Sequence, residues 1–121
     1  MATVPAKIVD DNQGGVLITW ETITDTNLDG AAVHVGSYTD LTVHSDGNYD
    51  GGASIAMQGS NNNVAWFALT KPGGTAIALT ADTVGALIVE EPLYIRPLND
   101  AGGGASTDVD VYVRAKKLPR A

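Results

Sequence analysis

The sequence predicts an all-β protein, an antiparallel two-sheet sandwich with jelly-roll topology, and three observations carry that reading. Fourteen glycines, with frequent Asn, Asp, Ser and Thr, divide the 121 residues into short β-rich runs. These runs recur about every ten residues with a turn signal between most of them, the spacing of a sandwich or barrel. No stretch repeats apolar residues at the helical period behind a capping residue, so the crossover helices that parallel strands need are missing.

Each run has its own signature. Residues 16–24 alternate Val16, Ile18 and Trp20 against Leu17, Thr19 and Glu21. Residues 32–36 and 41–45 are short and carry His34 and His44. Residues 53–59 point Ile55 and Met57 one way and Ser54, Ala56 and Gln58 the other, and residues 64–70 carry Trp66, Phe67 and Leu69. Residues 75–80 are apolar at Ile77 and Leu79. Residues 81–86, the one helical candidate, contain Asp, Thr, Val and Gly, all mediocre helix formers, and make at most a single turn. Residues 85–90 and 93–98 flank Glu91-Pro92. Residues 107–115 set Val109, Val111 and Val113 against Asp108, Asp110, Tyr112 and Arg114. Eight or nine strands result. Pro97 removes a ladder donor, which predicts that its strand lies at an edge or breaks there. Exposed edges invite pairing with other chains.

Length fits a single domain, with an N-terminal arm over residues 1–13 and a short basic tail over 116–121. The absence of cysteine excludes disulfides and thiolate metal sites. Apolar stretches such as Val16-Leu17-Ile18 or Leu87-Ile88-Val89 fall far short of the roughly 18 residues that span a bilayer. The first residues lack the basic start and apolar run of a secretory signal, so a soluble protein made and used without that export route is expected. A net charge of −7 argues against nucleic acid and against anionic membranes. Four of the seven basic residues, Arg114, Lys116, Lys117 and Arg120, lie in the last eight positions. They read either as a solubilising, frayed end or as an arm that docks on an acidic partner.

Signals for chemistry are weak. His34 and His44 each stand alone, no nucleophile-elbow pattern surrounds a serine, and Asp108 and Asp110 read as the solvated face of a strand. No enzyme is expected. The segment from Asp46 through Asn48 and Asp50 to Gly51 matches the first half of a calcium loop, but Met57 stands where the bidentate Glu should be. A bound metal is therefore not expected, and Asp46, Asn48 and Asp50 remain a weak candidate. The hairpin Gln58-Gly59-Ser60-Asn61-Asn62-Asn63, opening on Trp66, is similar to one that recurs in discoidin-like sugar-binding sandwiches. It suits either a β-turn with a core tryptophan or a stacking platform for sugar.

Taken in order, several pieces resemble small proteins encoded with the head genes of tailed bacteriophages. They are Leu17-Ile18-Thr19-Trp20-Glu21, Asp29-Gly30-Ala31, Tyr38-Thr39-Asp40-Leu41-Thr42-Val43, Gly51-Gly52-Ala53-Ser54-Ile55, the hairpin from Gln58 to Trp66, and Glu91 with Tyr94-Ile95-Arg96-Pro97. Asn62 replaces the usual Asp-Gly of the hairpin, and the 46–50 stretch is more acidic than the pattern. The family looks like capsid decoration, or cement, proteins of β-sandwich or jelly-roll fold. What the resemblance implies is a virion protein on the outer capsid surface, bound to the major capsid protein, often as a homotrimer, with no cofactor. On that reading Tyr94, Arg96 and Pro97 at a strand edge lie near a subunit contact, and residues 1–11 or Lys116, Lys117 and Arg120 touch the shell. The alternative is a carbohydrate-binding module that stacks sugar on Trp66 or Tyr94.

Overall fold

Strands that alternate apolar and polar residues each bury one face, and two such faces must meet to leave water. The computed structural model, which describes residues 3–117, meets that demand with two antiparallel sheets. Nine strands are described: β1 (Ala6–Asp10), β2 (Gly15–Ile23), β3 (Val33–His34), β4 (Asp40–Asn48), β5 (Ile55–Ser60), β6 (Phe67–Ala68), β7 (Gly85–Ile88), β8 (Tyr94–Asn99) and β9 (Asp108–Lys116). The larger sheet has the order β1-β2-β9-β4-β7 and the smaller β3-β8-β5-β6. The pairing is nested. β2 pairs with β9, β3 with β8, β4 with β7 and β5 with β6, as in one long ribbon folded back on itself. Wrapping this ribbon also joins β4 to β9 and β5 to β8.

The two inner faces form one core. Ile18 and Trp20 of β2, Leu41 and Val43 of β4, and Val109, Val111 and Val113 of β9 meet Ile55, Met57 and Ile95 of the smaller sheet. Each such side chain, fully buried, contributes roughly 1.5–3 kcal/mol. Trp20 is the largest, and its Nε1 donates to the Ala31 carbonyl at 2.9 Å, so its polar atom is satisfied. Gly30 admits the ring: a Cβ there would lie 2.5 Å from Trp20 Cδ1 and 2.6 Å from the Pro97 ring.

The structure departs from the sequence expectations in three places. Residues 6–10, expected within a free arm, form β1 and pair along β2 from Ala6–Trp20 to Asp10–Val16. Residues 75–80 form no strand, because their backbone divides between two partners. Ile77 donates to Leu69, whereas Leu79 exchanges bonds with Ile55. Both side chains are nevertheless buried, as the apolar pattern predicts. The third departure concerns Pro97. Its strand is interior to the smaller sheet, between β3 and β5, and Pro97 itself is buried. The backbone of Pro97 turns away from β5, and its carbonyl accepts from Gly30 N–H at 2.9 Å. β3 ends its pairing at Ile95, so the missing donor falls where no regular ladder runs.

Candidate functional site

Alternation along β8 sends Ile95, Pro97 and Asn99 into the core and leaves Tyr94, Arg96 and Leu98 on the outer face of the smaller sheet. Register then determines their neighbours. Gln58 of β5 lies opposite Arg96, and His34 of β3 lies opposite Tyr94. Arg96 Nε donates to Gln58 Oε1 at 2.8 Å, and its Nη1 stands 3.9 Å from Asp29 Oδ2. The guanidinium carbon sits 4.2 Å above the centre of the Trp66 ring, within cation–π range. His34 meets Tyr94 edge-on, with ring centroids 5.1 Å apart and planes at 82°. Two aromatic–polar pairs thus stand side by side on one half-buried face.

The turn that presents Trp66 is held by its own side chains. Ser60, fully buried, accepts from the N–H groups of Asn62 and Asn63 at 3.2 and 2.9 Å and donates to Asn62 Oδ1. Asn62 Oδ1 also accepts from the N–H groups of Val64 and Ala65, both at 2.9 Å. Asn63 takes a φ of 59°, which Asn tolerates better than most residues. Asn61 accepts from Leu93 N–H at 3.2 Å, which ties the turn to the start of β8. Val64 projects from the tip, 79% exposed. Trp66 is therefore a half-exposed face residue and not part of the core, which corrects the expectation of a core tryptophan in this hairpin.

The other candidates fall elsewhere. Tyr94 and Arg96 share the face just described, whereas Pro97 is buried beneath it and offers no contact surface. Lys116 ends β9 in the other sheet and Lys117 follows it; the Lys116 carbonyl accepts from Thr39 and Lys117 N–H donates to Gly14. Arg120 lies outside the described residues. Near Lys117 a shallow, open depression is lined by Asp10, Asn12, Val16 and Tyr38. Asp46 and Asn48 are not in a loop. They extend β4 against Asp110 and Asp108 of β9, and Gly47 permits that approach, since a Cβ there would meet the Asp108 carbonyl at 2.1 Å. Asp50 begins a short 3-10 turn, and its carboxylate accepts from Ser106 N–H at 3.1 Å. No group of three His, Asp or Glu that could hold a metal ion occurs among the described residues.

On the outer face of the larger sheet His44 stacks on Tyr112, with centroids 5.0 Å apart and planes at 15°. Partial burial, together with the charges of Asp46, Asp110 and Glu21, raises the Tyr112 hydroxyl above its ordinary value. Asp110 has a second role: its Oδ1 accepts from Thr22 N–H at 2.9 Å and braces the bulge in β2. Neither Gln58, Asp29 nor His34 stands out as a site residue in the sequence. Their role follows from cross-strand register, which cannot be read without knowing which strands pair. No protein-family model, curated protein or solved structure matches the chain.

Proposed function

We propose that this protein is a structural virion component that attaches to the outer surface of a tailed-phage capsid and stabilises it by bridging capsid subunits. Two things support the reading. One is the ordered set of motifs that resemble those of head decoration proteins. The other, which carries it, is the outer face of the smaller sheet, where Arg96 is bonded to Gln58 and packs on the Trp66 ring, and His34 packs edge-on against Tyr94. Trp, Tyr and Arg are the residues that most often dominate binding at protein interfaces, and pre-ordered side chains lose little freedom on docking. The nested pairing of β2–β5 with β6–β9 is also the reason we read the sandwich as a jelly roll.

A cement protein works by binding the assembled shell more tightly than dissociated subunits, and several modest contacts suffice if they engage together. The test is co-sedimentation with heads stripped of their decoration protein. Pelleting of the protein with the heads is expected, and retention in the supernatant at saturating concentration would overturn the proposal.

One observation favours a second reading, a carbohydrate-binding module. Trp66 is half-exposed beside Asn61 and Asn62, and Arg96 covers one side of its ring. Sugar stacking on the opposite side would protect Trp66 fluorescence from quenching when oligosaccharide is added. A glycan array with no signal removes this reading.

A further inference from the structure

Among the described residues, the larger sheet ends in a strand whose outer side has no partner along its length. β1 is last in the order, and of the strands with a single neighbour it is the longest described. Its direction of bonding follows from the turn: Asp11 N–H donates to the Gly15 carbonyl, so Lys7, Val9 and Asp11 bond towards β2. By alternation, the N–H and C=O groups of Ala6, Ile8 and Asp10 point away from the sheet. Among the described residues, the edge is covered only before it, where Val4 bonds to Asp29 and Ala31.

Apolar side chains are exposed on both sides of this edge. Ile8 is on the inner face opposite Ile18, yet it is 56% exposed. On the outer face Val9 is 61% exposed beside Leu17 at 38%. Natural edge strands usually avoid that combination, because an open backbone flanked by apolar groups recruits another strand. The other sheet edges are shorter or blocked: β3 and β6 have two residues each, and beyond β7 Val89 N–H donates to Thr70.

We infer that β1 pairs antiparallel with β1 of a second copy, about a two-fold axis at Val9. Two-fold pairing within a continuous sheet sets residues of like parity opposite one another, and the charges select among the few possible registers. A register centred on Lys7 sets Lys7 against Lys7, and one centred on Asp10 sets Asp10 against Asp10. The register centred on Val9 places Lys7, which also pairs with Glu21 of its own chain, opposite Asp11 of the second copy, which also pairs with Arg114 of its own chain, and Ile8 exchanges backbone bonds with Asp10 of that copy. It also joins Leu17, Val9 and their two equivalents into one apolar row across the seam. The alternative centred on Ile8 pairs Lys7 with Val9 and forms no such charge contact. This contact is two-fold, unlike the three-fold grouping that the resemblance implies, and it is independent of the proposed capsid face, which belongs to the other sheet.

Sedimentation equilibrium of the whole chain tests the pairing. One short strand is less than the roughly 1,600 Å² of a standard interface, so exchange between monomer and dimer is expected at micromolar to millimolar concentration. The mean mass should rise from 12.5 kDa towards twice that value. Hydrogen exchange at the Ile8 and Asp10 amides should slow as concentration rises. Val9→Lys sets like charges across the axis while leaving the bonds to β2 intact, and it should hold the protein monomeric with its circular dichroism unchanged. Ile8→Pro, which removes only an outward donor, should do the same. A mass that stays at one chain up to about 1 mM, or a larger assembly unaffected by Val9→Lys, would overturn the inference.

Discussion

Thr22 occupies φ 65°, where a β-branched side chain crowds its own backbone. It is held there by Asp110, which accepts its N–H at the point where β2 slips its register against β9. Thr22→Asn keeps that N–H and suits the left-handed region better. It should raise the unfolding free energy by roughly 0.5–1 kcal/mol, read as a higher urea midpoint at unchanged slope. Glu90 gives a pH prediction. Partial burial pushes its carboxyl up, but bonds from the Thr70 hydroxyl and N–H outweigh this and leave it below its ordinary value of 4.5. Stability from such a carboxylate is complete above the unfolded value and is lost as pH falls through the lower folded value. Thr70→Val removes the hydroxyl, so the melting temperature should fall less steeply than wild type between about pH 5 and about pH 3. Equal slopes would show that the Thr70 hydroxyl does not contribute through Glu90. Some residue roles are legible in the sequence. Trp20 follows from alternation, whereas Gly30 reads as a turn glycine and in fact makes room for the Trp20 ring, a contact between distant segments.

At the scale of elements, the hairpin between β5 and β6 is the piece on which Trp66 depends. Ser60 alone accepts from two of its N–H groups while buried. Ser60→Ala should cost about 1 kcal/mol, and the loosened turn should let acrylamide reach Trp66 more readily. If stability falls with no change in quenching, the turn does not position the ring. β9 was the most readable element: Val109, Val111 and Val113 are buried and the residues between them face outward. β1 was the least. Ala6-Lys7-Ile8-Val9-Asp10 places its two large apolar residues side by side, one on each face, so it shows neither the clean alternation of a half-buried strand nor a long apolar run. Pro97 misled for a related reason. Proline excludes a strand interior only where its nitrogen faces a neighbour, and the sequence does not say which way residue 97 faces.

Over the whole molecule, a sandwich of two antiparallel sheets was predictable because it needs only many short alternating strands and no helices. The binding face was only partly legible. Tyr94 and Arg96 could be singled out one by one, but their assembly with Trp66, Gln58 and His34 depends on β8 lying between β3 and β5. That assembly is the centre of the functional account, and affinity for undecorated heads measures it most directly. Replacing Trp66 and Arg96 together by alanine should weaken head binding at least tenfold, about 1.4 kcal/mol or more, while the melting curve stays close to wild type. Undiminished affinity in that variant would mean that the shell is gripped by some other surface.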